Sequence, residues 1–151
     1  MSRQTRTPVV VVALAAALSG LMACSHAPTA PTSIGVDVSG AWAGAAADTS
    51  GFGDLQWQVT QSGGTLAGTV AITDRTVPVT GHGTLSGSIL AGTLHFTMVV
   101  PSGGFEEPFA ECSTTVTGDA MVSASTITGT YAGVSTCGGK VYGGQLTLRR
   151  L

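Results

Sequence analysis

The chain has 151 residues, of which 22 are glycine and only 9% are charged, and its formal net charge is −2. Ordinary soluble domains are roughly 25% charged, so this composition excludes a coiled coil, an ion-paired helical bundle and a basic nucleic-acid-binding protein. The many glycines and threonines favour short strands joined by tight turns. Composition therefore bounds the fold class and leaves the function open.

The N-terminal 23 residues have the pattern of a secretory signal peptide. Arg3 and Arg6 precede an apolar run at residues 9–18. A run of that length cannot cross a bilayer as a helix, which needs about 20 residues. The segment Leu21-Met22-Ala23-Cys24 follows, with an aliphatic residue three positions before the cysteine and a small residue directly before it. It resembles the lipobox of bacterial lipoproteins; an ordinary secretory signal with an unrelated cysteine is the alternative.

The lipobox resemblance implies a fate for Cys24. Its sulfur would carry two acyl chains such as palmitate, and the residue would become the mature N-terminus and then be N-acylated. Such chains hold a small domain firmly on a membrane, because each buried methylene contributes roughly 0.8 kcal/mol. Ser25 stands where an aspartate retains many such proteins at the inner membrane. The resemblance therefore implies a cell-envelope protein sorted to the outer membrane of a diderm host.

Removal of residues 1–23 would leave 128 residues with four basic and eight acidic side chains, a net charge of −4. That size fits one domain with a single core, and the acidic balance argues against nucleic acid or polybasic membrane contact. Residues 24–38, where Pro28 and Pro31 lie among Ala, Thr and Ser, are expected to be a lipid anchor and flexible tether. Residues 39–151 form the predicted domain.

The predicted domain contains eight segments of alternating apolar and polar residues, separated by turn residues, with no competing helical period. Eight sequential antiparallel strands that close on themselves form an all-β, up-and-down barrel, and a two-sheet β-sandwich is the alternative. The predicted strands are 39–47, 54–61, 65–72, 82–90, 92–100, 111–122, 126–136 and 141–150. The predicted inward residues are Trp42, Leu55, Trp57, Val59, Leu66, Val70, Ile72, Leu85, Ile89, Leu94, Phe96, Met98, Val116, Val122, Ile127, Tyr131, Leu146 and Leu148.

A glycine recurs on the predicted inward face, as Gly68, Gly87 and Gly129. A missing side chain lets a strand bend sharply or another backbone approach, and closing a sheet requires strong bending.

In an up-and-down barrel, alternate connections share one end. The longer predicted connections, residues 48–53, 73–81, 101–110 and 138–140, all fall at one end, which we call the mouth. The tight predicted turns fall at the other, closed end. Since strand one starts at the closed end, the mouth is expected to face away from the membrane.

Two cysteines remain once Cys24 is assigned to lipid. Cys112 and Cys137 flank a predicted hairpin with Ala124-Ser125 as its two-residue turn. That register places the two cysteines opposite each other in a non-hydrogen-bonded pair, where side chains lie closest. An oxidising envelope compartment favours a disulfide. The alternative, two thiols for a metal, lacks a nearby histidine or third cysteine.

The motif Gly40-Ala41-Trp42 in strand one, with Arg149 and Arg150 in the last strand, resembles the calycin group of lipocalins and avidins. The resemblance implies that Trp42 closes the tight end of the barrel and that one of the two arginines packs over it. Residues 62–69 are also similar to the second hairpin of avidins. No tryptophan follows Trp57, so the biotin pocket of avidins has no counterpart.

The chemistry-bearing residues do not form a catalytic pattern. His82 and His95 are predicted to face outward and to lie too far apart for a shared metal. Asp48 and Asp54 flank a glycine-rich segment, for which turn capping is favoured over cation binding. With no nucleophile elbow and no Cys/His pair, we expect no enzyme, no cofactor and no metal site.

The predicted mouth loops carry the remaining candidates for a ligand or partner contact. Residues 101–110 combine hinge glycines, two prolines, two phenylalanines and an acidic pair, a composition suited to a lid or a protein contact. The alternatives are that the phenylalanines simply plug the barrel and that Tyr131 only fills the core. The candidates are Phe52, Phe105, Glu106, Glu107, Phe109, Tyr131 and Tyr142.

Two functions of different class follow. The first is a membrane-tethered barrel that binds a small apolar or amphipathic ligand at its mouth, as the lipocalin resemblance implies. The second is a filled barrel that contacts an envelope protein through its loops, similar to bacterial lipoprotein inhibitors of secreted proteases. An eight-stranded barrel is compatible with either a filled interior or one small ligand.

Overall fold

A computed structural model describes residues 35–151. Within that range every element of regular structure is a β-strand, and no helix is long and apolar enough to cross a membrane. The strands are β1 (Gly40–Asp48), β2 (Gly51–Ser62), β3 (Thr65–Asp74), β4 (Val79–Leu90), β5 (Thr93–Val100), β6 (Thr114–Val122), β7 (Thr126–Ser135) and β8 (Gly139–Arg150).

The eight strands form one closed antiparallel barrel in sequence order, and β1 pairs with β8 to close it. The up-and-down barrel is confirmed, and the sandwich alternative is wrong. The predicted register of the β6–β7 hairpin is also confirmed, from Val122 opposite Ile127 to Thr114 opposite Ser135.

The expected signal peptide at 1–23, the lipobox with Cys24 and most of the expected tether lie outside the described residues. The last residues of the tether range are part of the barrel's packing. Val38 is fully buried and Val36 packs against the core. The Val38 carbonyl accepts a hydrogen bond from Trp42 Nε1 at 2.9 Å, so the ordered packing begins a few residues before position 39.

The core occupies the barrel interior and follows the predicted alternation. All predicted inward residues are buried except Ile72 and Val122, which are partly buried and pack against the core. Val38, Val100 and Val141 are further buried valines that the sequence reading did not include.

Inward glycines allow the strands to approach one another closely. A Cβ at Gly68 would overlap the Gln58 carbonyl oxygen of the adjacent strand, and Gly87 and Gly129 meet a neighbouring carbonyl in the same way. The recurring glycines therefore mark positions where the bent sheet leaves no room for a side chain.

The connections at the mouth correct one expectation. The β1–β2 and β3–β4 connections are shorter than predicted, because β1 and β3 end later and β2 and β4 begin three residues earlier. The β7–β8 connection keeps its length but lies two residues earlier, and the β5–β6 connection is longer because β6 begins at Thr114. Glycines such as Gly51 and Gly53 were assigned to a loop, but both lie in the β1–β2 ladder. The four mouth connections are residues 49–50, 75–78, 101–113 and 136–138.

Trp42 and Arg150 cover the closed end of the barrel. Trp42 is fully buried, and the Arg150 guanidinium carbon lies 4.6 Å from its ring centroid. Arg150 Nη1 donates to the Ser39 carbonyl at 2.7 Å, and Nε donates to the Ala124 carbonyl at 3.0 Å. The contact expected between Trp42 and a last-strand arginine is present, and Arg150 rather than Arg149 makes it.

Candidate ligand cavity at the barrel mouth

The barrel interior is solidly filled at the closed end and open at the mouth. Large rings occupy the lower layers, where Trp57 and Phe96 pack edge to face with centroids 5.3 Å apart. Towards the mouth the inward positions carry small side chains such as Ala46, Val100 and Val116. Their smaller volume leaves a cavity of about 260 Å³.

Leu55 and Met98 lie two residues nearer the mouth than Trp57 and Phe96, respectively, and both line the cavity. The Trp57–Phe96 layer therefore lies directly below the cavity. Trp57 Nε1 is buried without a hydrogen-bond partner among the described residues, and Trp57 itself does not line the cavity.

The long β5–β6 connection forms one wall of the cavity. Phe105 bridges to Gly81, and a Cβ on that glycine would lie 2.5 Å from the Phe105 ring. His82 N donates to the Gly104 carbonyl at 2.8 Å, which fixes the connection against β4. Phe105 and Phe109 are both half-buried and line the cavity. The phenylalanines thus form part of the wall and leave an open space beside them.

The predicted Cys112–Cys137 disulfide is present, with Cα atoms 5.6 Å apart. It lies just beyond the paired region of β6 and β7, and both cysteines line the cavity. The bond ties the end of the β5–β6 connection to the β7–β8 turn. It therefore joins two connections that surround the mouth.

A tyrosine–carboxylate pair forms the main polar feature of the cavity wall. Tyr131 is 8% exposed, and its hydroxyl donates to Asp48 Oδ2 at 2.7 Å. Burial raises the pKa of the Tyr131 phenol, and the hydrogen bond to Asp48 raises that pKa further. The hydroxyl therefore stays protonated and donates to Asp48, and Tyr131 forms part of the cavity wall.

Asp48 and Asp54 have different local roles. Asp48 Oδ1 accepts the Ser50 backbone N–H at 2.7 Å, which confirms the expected turn cap. Asp54 instead accepts hydrogen bonds from two nitrogens of Arg75, from Nε at 2.9 Å and from Nη2 at 2.8 Å. The prediction that Asp54 caps a turn is therefore wrong.

Four of the predicted contact residues meet at the cavity and three do not. Phe52, Phe105, Phe109 and Tyr131 line it. Tyr142 is 60% exposed on the outer face of β8, and Glu106 and Glu107 are exposed on the β5–β6 connection, so none of these three lines the cavity. Tyr142 follows the inward Val141 and so points outward by strand alternation. The alternation of Leu146 and Leu148 alone would place Tyr142 inward, and the irregularity in the β7–β8 ladder between Tyr131 and Gly133 turns it outward.

The aliphatic lining of the mouth was missed by the sequence reading. Val79, Val100 and Val141 line the cavity, and the first of them lay in a segment predicted to be a loop. Period-two alternation continues from the predicted strands into Val79 and Val100. Val141 is out of phase with Leu146 and Leu148 and faces inward because of the irregularity in the β7–β8 ladder.

On the outer face, His95 and Asp119 form a side-chain pair that the sequence does not predict. His95 Nδ1 lies within hydrogen-bonding distance of Asp119 across β5 and β6, and both side chains are more than half exposed. Among residues 35–151, no group of three or more His, Cys, Asp or Glu side chains is placed to hold a metal ion.

No family model matches the chain, and no curated protein matches it.

Proposed function

We propose that this protein is a lipid-anchored, calycin-like barrel that binds a small apolar or amphipathic molecule in its mouth cavity. The observation that carries the proposal is the cavity itself, an apolar space of about 260 Å³ above a tightly packed core. Ligand sites are typically concave, mostly apolar and bounded by a few polar groups. Asp48 and Ser50 supply such groups at this site. The proposed role is binding rather than catalysis.

The size of the cavity sets the size of the ligand. An apolar cavity of about 150 Å³ accepts benzene, so a space of 260 Å³ corresponds to roughly ten non-hydrogen atoms. A long fatty acid would have to project into solvent. We therefore choose 2-phenylethanol, an uncharged molecule of matching size, as the first probe.

Filling the cavity is expected to abolish binding of 2-phenylethanol. Ala46 lines the cavity on β1, so the ring introduced by Ala46→Phe would occupy the ligand space. Ala47 is the next residue and is exposed on the outer face, which makes Ala47→Phe the matched control. Isothermal titration calorimetry should detect binding by the parent protein and Ala47→Phe, with a loss of at least about tenfold in Ala46→Phe.

Thermal unfolding of both variants checks that the barrel is intact. Equal affinity in the parent protein and a folded Ala46→Phe variant would place the ligand elsewhere and contradict the proposal. If Ala46→Phe does not fold, Ala46→Leu, which adds less volume, is compared with the parent protein instead.

The proposed membrane anchor depends on Cys24. Since β1 begins at the closed end, an anchor preceding it would leave the mouth facing away from the membrane. Expression of Cys24→Ser in a diderm bacterium is expected to shift most of the protein from the membrane fraction to the soluble fraction, because the acyl chains supply the membrane affinity. Unchanged membrane fractionation of Cys24→Ser would contradict lipidation at this residue, and Ser25→Ala serves as the control that keeps the cysteine.

A second candidate function rests on the β5–β6 connection. Residues 101–113 are held by backbone hydrogen bonds, for example Gly103 N to the Ala110 carbonyl at 2.6 Å, and by the disulfide. A rigid exposed loop loses little conformational entropy when it binds a protein. Glu106 and Glu107 would then contact the partner, and an envelope protease is the class proposed for this alternative.

A further inference from the structure

The charged residues that line the cavity all carry the same sign. Asp48 and Asp74 line it, and no lysine, arginine or histidine within residues 35–151 does. Both carboxylates are half-buried. An uncompensated negative charge beside an apolar cavity disfavours an anionic ligand and favours a cationic one.

The two carboxylates lie at the rim on the two strands that neighbour β2. Asp48 pairs with Gly51 across the β1–β2 turn. A Cβ on Gly51 would lie 3.5 Å from Asp74 Oδ1. Both acids therefore lie beside Gly51 of β2, Asp48 on β1 and Asp74 on β3.

Each carboxylate retains acceptor capacity for a ligand. Asp74 Oδ1 accepts the Thr76 and Val77 backbone N–H groups at 2.7 and 3.1 Å, and these bonds leave Oδ2 available among the described contacts. An ionised carboxylate offers about four acceptor positions. Tyr131 and Ser50 use part of that capacity at Asp48.

The charge of the whole domain is concentrated at the same end. Asp48, Asp54, Asp74, Glu106, Glu107 and Glu111 lie at the mouth, with Arg75 and Lys140 as the basic residues there. Arg75 is engaged by Asp54. Asp37 and Asp119 balance Arg149 and Arg150 towards the closed end. The whole net charge of −4 for this part of the chain therefore lies at the mouth.

We infer that the cavity is selective for a cationic amphiphile, a molecule with an apolar body of about one ring and an ammonium group. The apolar body occupies the space above Leu55 and Met98, and the ammonium group donates hydrogen bonds to Asp48 and Asp74. This inference rests on the proposed function, because it assigns the chemical class of ligand to the same cavity.

Three probe molecules of matched size separate the effect of ligand charge on affinity from the effect of ligand shape. These are 2-phenylethylamine, 2-phenylethanol and phenylacetate, which carry a positive, a neutral and a negative group on similar bodies. Calorimetry at low salt is expected to give a dissociation constant for the amine about tenfold or more below that for the alcohol, because hydrogen bonds to charged groups are stronger than neutral ones. Phenylacetate is expected to bind weakest. The amine's advantage should fall when sodium chloride is raised, since salt screens partly exposed charges.

The double variant Asp48→Asn/Asp74→Asn is expected to lose the amine's advantage, measured within that variant as the ratio of the dissociation constants for 2-phenylethanol and 2-phenylethylamine. Glu107→Gln/Glu111→Gln is the matched control, because it removes two negative charges at the same end from side chains that do not line the cavity. That variant should retain most of the amine's advantage.

The outcomes distinguish this inference from the proposed function. If 2-phenylethanol binds and 2-phenylethylamine binds equally well or more weakly, the cation selectivity is overturned. The proposed ligand cavity is then still supported by the binding of the alcohol. An amine preference that survives Asp48→Asn/Asp74→Asn also overturns the inference, because the preference would then arise elsewhere. Failure of all three probes to bind overturns the proposed function together with the inference.

Discussion

Replacement of Trp42 by alanine is expected to lower the free energy of unfolding by about 3–5 kcal/mol, the range for removing a fully buried large aromatic side chain. Trp42 is completely buried at the closed end and donates its indole N–H to the Val38 carbonyl. Its loss would leave a void, remove that hydrogen bond and remove the cation–π contact with Arg150. Urea unfolding followed by circular dichroism measures the change.

Two further variants divide the contribution of Trp42. Trp42→Phe keeps much of the ring volume and should cost less than Trp42→Ala. Arg150→Gln, combined with Trp42→Ala in a double-mutant cycle, should give a coupling of about 0.5–2 kcal/mol from the cation–π contact. A cost below about 1 kcal/mol for Trp42→Ala would show that Trp42 does not hold the closed end together.

Reduction of the Cys112–Cys137 disulfide is expected to lower the free energy of unfolding by about 2–4 kcal/mol. The bond closes a loop with a sequence separation of 25, so its loss increases the freedom of the unfolded chain. Cys112 is 5% exposed, and reduction also frees the end of the long mouth connection. Thermal unfolding with and without dithiothreitol measures the change.

The double variant Cys112→Ala/Cys137→Ala provides the control for that experiment. It should unfold near the transition of the reduced protein and should not respond to dithiothreitol. Identical unfolding of the parent protein in oxidising and reducing buffer would show that the bond is absent or does not contribute to stability.

Alternation along the strands was sufficient to predict the fold. A period of two places residues such as Trp57, Val59 and Leu146 on one face, and these are buried as expected. The tight turns then fixed the order of strands and the β6–β7 register, and the register placed Cys112 opposite Cys137. Each of these inferences depends on residues that are near one another in the sequence, where side-chain alternation and turn residues indicate the local structure.

The mouth was predicted less well because its geometry depends on contacts between distant segments. Gly51 and Gly53 indicated a loop, but the β1–β2 ladder continues through them. Segments some twenty residues away leave no room for a side chain at either glycine, since a Cβ at Gly51 would overlap Thr76 and one at Gly53 would overlap the Thr73 carbonyl. The choice between Arg149 and Arg150 was accessible, since Arg150 shares its face with Leu146 and Leu148. The pairing of Tyr131 with Asp48 spans 83 positions and had no local signal.

The presence of a cavity was not predictable from counts of inward residues. It arises from the distribution of side-chain size along the barrel axis, with Trp42, Trp57 and Phe96 near the closed end and Ala46, Val100 and other small residues near the mouth. A list of inward residues gives the total volume of their side chains but does not show where along the barrel axis that volume lies. Only the complete structure shows that these small residues line one cavity.

The central claim is that a small ligand enters this cavity, and methyl chemical-shift mapping tests it most directly. The ¹H–¹³C methyl signals of the barrel are recorded during a titration with 2-phenylethanol. Met98, Val100 and Val116, which line the cavity, should shift saturably, and Leu66 and Leu148, which are buried outside it, should stay nearly constant. No shift at the cavity methyls, or shifts confined to the outer face of the barrel, would contradict the claim.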